Sequence, residues 1–312
     1  GTPAEEQLLG KIFMLRDGAF AGTDVVLSWH PEDLNYVYTR SRLAITAVDV
    51  EFFGKTAHAA ASPWLGRSAL DALELFDHAI ALMREHVLPT ARLHRVVKNG
   101  GVAANIIPDY ARIQYFVRDE NGDRVNEMLG RLKKAAEGAA LGTETRAKVN
   151  LLASTREPIY GETLSRLVQK ELERTGAPRW DEADVAFAKA VEAELGAEPE
   201  GLAADVLPYA PGHGATASSD LGELSAAFPL AELAVAARPK GTPAHHWAQT
   251  TCARHPIGRK GMLVAAKVLA ASTVDLLRDP KIVAAAKDDF AKATKGKPYV
   301  SPLAAEAKPA TY

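Results

Sequence analysis

The 312-residue sequence holds a single cysteine, Cys252. It therefore has no disulfide framework, and a reducing, cytoplasmic setting is the expectation. No apolar run approaches the roughly 20 residues of a membrane-spanning helix. The opening residues lack the basic stretch and apolar segment of a signal peptide. Charge of one sign is also missing. Lys and Arg number 37 and Asp and Glu 39, a formal net charge of −2, which argues against nucleic-acid or polybasic membrane roles. Despite 23 glycines there is no G-x-x-x-x-G-K-[ST] and no strand-linked G-x-G-x-x-G, so a phosphate- or nucleotide-binding α/β protein has little support. What is present is 47% hydrophobic and 24% charged, a globular composition in a chain long enough for two domains.

The middle of the chain has a distinct rhythm. "RLAITAVDVEFFG" (42–54), "RLHRVVKNGG" (92–101), "ARIQYFVRD" (111–119) and "RAKVNLLAS" (146–154) read as strands. Residues 66–87, with Leu70, Leu73, Phe76, Ile80 and Met83 at helical spacing, and 123–141 read as helices. The order β-α-β-β-α-β is a ferredoxin-like unit over 42–155, which should place both helices on one face of an antiparallel sheet. The flanks, 1–41 and 156–312, are expected to form one α/β domain that this unit interrupts. They offer a short helix at 8–16, a strand at 23–29 that stops before His30-Pro31, and helices at 156–174, 181–196, 263–279 and 281–292. Few strands are evident in the second flank, and the α/β domain looks incomplete.

Several residues could carry chemistry. Glu5-Glu6 in "GTPAEE" precede a helix, where acidic residues also serve the helix dipole. Adjacent carboxylates can divide two roles in a metal-dependent hydrolase, one as ligand and one as proton acceptor. His30 in "SWHP" closes an apolar strand, where open α/β sheets gather pocket residues, although packing against Trp29 would also explain it. His245 and His246 share the loop "GTPAHHW", and one of the two is expected to be spare. His213 in "PGHG" and Ser219-Asp220 suit a surface loop and a helix N-cap equally well. His58 lies in a long small-residue loop of the ferredoxin-like unit. Asn105 and Arg118 belong to the same unit, and arginine is the usual clamp for a carboxylate.

Taken in order, "GTPAEE", "WHP", "FFGKTAHAAASPWLGRSALDA", "GGVAANIIPDYARIQYFVRD", "SSDLGELS" and "GTPAHHW…GRKGMLVAAKVLA" resemble the M20 family of metallopeptidases and amidohydrolases. The likeness extends over essentially the whole chain and points to the branch that acts on aminobenzoyl-glutamate. The resemblance implies a zinc-exopeptidase-like α/β catalytic domain with an inserted ferredoxin-like α+β lid that also dimerises. It implies two divalent metal ions, zinc or manganese, and hydrolysis of the amide bond of an N-acyl amino acid or small dipeptide. It makes Glu5 the general base, and Glu6, His30 and His245 metal ligands. His58 would stabilise the oxyanion in a neighbouring subunit, and Asn105 and Arg118 would hold the substrate carboxylate. The partner would be a second copy or a paralogous A-type subunit.

The family pattern also includes an earlier segment with further metal ligands, and nothing in these residues matches it. The expectation is a chain that lacks that segment and is inactive alone, with Ile12, Phe13 and Leu15 of the first helix left exposed. A binding or regulatory subunit that keeps the fold without turnover is the rival reading.

Overall fold

The computed structural model describes residues 10–196, 198–214 and 217–303. Two sheets organise them. The first is four-stranded and antiparallel, in the order β4-β5-β3-β6, from β3 (Ala44–Phe53), β4 (Arg92–Asn99), β5 (Tyr110–Asp119) and β6 (Arg146–Thr155). Helices α2 (Ala69–Met83) and α3 (Gly122–Gly142) lie together on one face, as the sequence order predicts. Alternation along β3 and β5 sends Val50, Phe52, Ile113, Tyr115 and Val117 into that core against Phe76, Ile80 and Leu132. Ser68 caps α2 by accepting from the Asp71 N–H, and Asn121 caps α3.

The second sheet has the order β1-β7-β2, from β1 (Val26–Glu32), β2 (Tyr36–Val37) and β7 (Leu230–Ala236). β1 runs parallel to β7, and β2 antiparallel. β7 is buried along its whole length. Its Ala231, Leu233 and Val235 pack against α4 (Glu162–Thr175) and α8 (Pro256–Arg278), with α9 (Pro280–Thr294) behind them. The opposite face carries Glu232 and Ala234 toward Tyr36, Tyr38 and Tyr160. Shorter helices α5 (Glu182–Leu195), α6 (Leu221–Ser225) and α7 (Trp247–Arg254) complete the described chain.

Several sequence expectations are corrected. β1 continues through His30-Pro31 to Glu32. It sits at a sheet edge, where a proline costs no ladder hydrogen bond. α4 begins six residues late, after Pro158, with Gly161 as its N-cap, and α8 begins early, with Pro256 in its first turn behind the His255 cap. β7 went unread as a strand because LAELAVA mixes Ala, Leu and Glu, which favour helices when taken alone. Helix α1 (Gly10–Arg16) does not expose its apolar face: Ile12 is 0% and Phe13 7% accessible, and Leu15 is half-buried against Phe20 and Phe228. Asp220, fully buried, accepts from the Lys11 backbone N–H at 2.8 Å and from its Nζ at 2.5 Å, which pins the helix start.

One buried charge pair joins the two sheets. Arg42, just ahead of β3, places Nη2 2.6 Å from Glu232 Oε1 on β7. Tyr160 donates to Glu232 Oε2 at 2.5 Å, and the Arg42 guanidinium lies 4.7 Å from the Tyr38 ring centre. Nearby, α6 abuts the exit from β6 so closely that a Cβ on Gly222 would sit 1.8 Å from the Arg156 carbonyl oxygen. Breaking a buried pair from one side leaves an uncompensated charge, whereas apolar replacement of both partners does not. Glu232→Gln should therefore cost about 3–5 kcal/mol in urea unfolding. The double variant Arg42→Met/Glu232→Leu should recover most of that loss. Equal destabilisation by the single and double variants would contradict the assignment.

Candidate metal and substrate site

The parallel pair β1–β7 ends at Glu32 and Ala236, and the carboxyl ends of such strands are where open α/β sheets build pockets. On β1, Leu27 and Trp29 pack into the helix-covered core. The two-residue period of a strand then sends His30 and Glu32 to the other face. They open onto a cavity of about 760 Å³, whose walls also include Arg42, Arg238, His245 and Trp247. His30 and His245, far apart in sequence, thus line one cavity.

Glu32 is the most heavily bonded group there. Its Oε1 accepts from Tyr38 OH at 2.8 Å and lies 3.0 Å from His30 Nδ1, and its Oε2 accepts from Arg238 Nη2 at 2.6 Å. Burial alone would raise its pKa. The His30 imidazole, Arg238 guanidinium and Tyr38 hydroxyl outweigh burial and lower it to about 2. Arg238 also donates to the Pro31 carbonyl at 2.6 Å, and the Ala237 N–H to the Glu32 carbonyl at 2.7 Å. The Gly241 N–H reaches Asp33 Oδ2 at 3.0 Å. The loop that leaves β7 is therefore sewn to the end of β1 before it reaches His245.

His245 has φ of +54°, a left-handed conformation disfavoured for any residue with a Cβ. Its N–H donates to Gln249 Oε1 at 3.0 Å. His246 is spent on structure: its Nδ1 accepts from the Ala248 N–H at the start of α7.

The other expected residues divide into three groups. Glu5 and Glu6 lie outside the described residues. His58 and Asn105 come together: an isolated bridge joins His58 to Ile106, and the Ala59 N–H donates to the Asn105 carbonyl at 3.0 Å. Both are exposed on the lid and neither lines the cavity. Arg118 does approach it, donating from Nη1 to Ser218 Oγ at 3.2 Å, and Ser218 is a cavity-wall residue. Arg118 pairs with no carboxylate among the described residues, its Nε is buried without an acceptor, and burial lowers its pKa. His213 packs against Tyr36, and Asp220 anchors α1. Among the described residues no three His, Cys, Asp or Glu side chains gather around one point.

Sequence reasoning passed over Glu32, Arg42 and Arg238. Only Glu32 carried a usable signal, its place two residues after His30 on a strand. Arg42 and Arg238 become neighbours of the cavity through long-range packing alone.

Comparison with known proteins identifies the family. Residues 41–144 match the peptidase dimerisation domain of the M20 family. The chain is 33% identical to the B-type component of p-aminobenzoyl-glutamate hydrolase from Escherichia coli (strain K12), across 97% of this chain and 69% of that protein. It is 40% identical to the Xaa-Arg dipeptidase of Mus musculus over 143 residues, 46% of this chain and 33% of that protein. The structure of an aminobenzoyl-glutamate utilization protein from Klebsiella pneumoniae superposes with a TM-score of 0.60 at 18% identity, covering 88% of this chain and 60% of that one. The chain thus spans only part of the length of these relatives. A ferredoxin-like dimerisation unit, set beside a parallel-strand pocket with two histidines and matched almost end to end by such a relative, places the chain in the M20 peptidase family.

Proposed function

We propose that this chain forms part of a metal-dependent amidohydrolase that cleaves the amide bond of an N-acyl amino acid, of the aminobenzoyl-glutamate kind, or of a small dipeptide. The observation that carries the reading is the meeting of His30 and His245 at one cavity beyond the ends of β1 and β7. Paired imidazoles suit zinc better than calcium or magnesium, which prefer all-oxygen sites, and a carboxylate among the ligands would also admit manganese. The backbone strain at His245 is of the kind kept where a side chain must be aimed.

Glu6, His30 and His245 would hold divalent metal, with Glu5 beside them. Bound zinc or manganese supplies a water of near-neutral pKa and polarises the scissile carbonyl. Glu5 accepts the proton of the attacking water and returns it to the leaving amine. His58, exposed on the lid, serves the oxyanion of a partner's site, a contribution of ~3–4 kcal/mol in comparable enzymes. Asn105 and Arg118 hold the substrate carboxylate. The lack of a carboxylate partner for Arg118 among the described residues supports that role. Three protein ligands are too few for two ions, so the remaining ligands come from outside these residues.

The decisive test is hydrolysis of p-aminobenzoyl-glutamate with zinc or manganese. The 312-residue chain is expected to be inactive, and a polypeptide extended to the length of its relatives active. In the extended form Glu5→Gln should lower kcat by about 10²–10⁴. Turnover by the short chain would contradict the ligand count, and a metal-loaded extended chain without turnover would favour a binding subunit.

The strain at His245 gives a second test. His245→Gly relieves the positive-φ strain and removes the imidazole, so it should weaken zinc binding while the protein keeps its fold. A loss of stability would show that the imidazole is structural.

The lid supplies the third. β4 is an edge strand with Val96 and Val97 about half exposed, and such edges call for a cover. We place the dimer contact there. Val96→Lys/Val97→Lys should convert a dimer to a monomer in sedimentation velocity, and an unchanged dimer would move the contact elsewhere.

A further inference from the structure

His30 presents only one of its two ring nitrogens to the cavity. Its side chain is 40% accessible, yet Nδ1 is buried and faces the Glu32 carboxylate at 3.0 Å, off the axis of a straight hydrogen bond. No other hydrogen-bond partner reaches that nitrogen among the described residues. An ion in the cavity can therefore reach Nε2 and not Nδ1. Glu32 is itself immobilised, by Tyr38 on one oxygen and Arg238 on the other. Arg238 stands in the loop that carries His245 and also grips the Pro31 carbonyl.

Building on the metal-site reading above, we infer that Glu32 is a positioning residue: its carboxylate, braced by Arg238 and Tyr38, keeps His30 in the Nδ1–H tautomer and leaves Nε2 as the ligand atom. A carboxylate behind a ligating imidazole fixes ring orientation and raises the basicity of the ligand nitrogen. Here the same brace would also set the spacing of the two histidines, because Arg238 binds the end of the His30 strand and belongs to the His245 loop. Free imidazole in water prefers the opposite tautomer, so the assignment has a signature independent of activity.

The test combines spectroscopy on the unaltered chain with metal titration. In metal-free protein carrying ¹⁵N-labelled histidine, in mildly alkaline buffer, the ring signals that vanish in His30→Gln should show a protonated Nδ1 and a bare Nε2. The Nε2–H form would overturn the inference, and correlating the ring signals with the His30 backbone in the unaltered chain gives the same assignment if His30→Gln fails to fold. Zinc affinity, measured against a chromophoric chelator, should fall by about 10–100-fold in Glu32→Ala and further in His30→Gln. If His30→Gln weakens zinc binding while a folded Glu32→Ala does not, the positioning role is wrong and the metal site stands. If His30→Gln leaves zinc binding unchanged, the metal reading falls and this inference falls with it.

Discussion

Arg238 holds the candidate site together. It bridges the Pro31 carbonyl and the Glu32 carboxylate at the end of β1, and it starts the loop that leaves β7 toward His245. Among the described residues β1 has only β7 as a sheet neighbour, so without this clamp the end that bears His30 would rest there on a single ladder. A charge-assisted pair between largely buried partners is strongly directional. It costs desolvation, which is met by the Tyr38 hydroxyl bond to Glu32 and by the His30 imidazole 3.0 Å away. The result is a rigid floor on which two distant histidines face the same space.

The buried Arg42–Glu232 pair couples that floor to the lid. Arg42 precedes the first lid strand, and Glu232 lies on β7, distant in sequence but adjacent in space. Ser218 makes a second link, because it lines the cavity and also receives Arg118 from β5. The ferredoxin-like unit is therefore tied to the cavity wall through two different contacts. His58 and Asn105 lie exposed on a loop of the ferredoxin-like unit and do not line the cavity.

The ferredoxin-like unit was legible in the sequence because its signals are local. Alternation in β3 and β5, the apolar stripe of α2 and the capping residues all appear within short windows. The outer sheet was much less legible. β7 is covered on both faces and shows no alternation, so LAELAVA gives no period with which to separate strand from helix. Pro31 looked like a stop because proline usually is one, and only the edge position of β1 makes it acceptable. The shared cavity of His30 and His245 forms only through the fold, and His246 serves as the N-cap of α7. Arg42 and Arg238 were not readable, because no local pattern marks a residue whose partner comes from another part of the chain.

The metal reading depends on divalent metal meeting His30 and His245 in one cavity. Crystals soaked in zinc and measured on both sides of the zinc absorption edge would test this directly. The expected result is anomalous density in the cavity beyond β1 and β7, with zinc about 2.0–2.1 Å from Nε2 of His30 and zinc at the same distance from a ring nitrogen of His245. A peak bound through Nδ1 of His30, or zinc ordered elsewhere while both imidazoles stay unliganded, would contradict it.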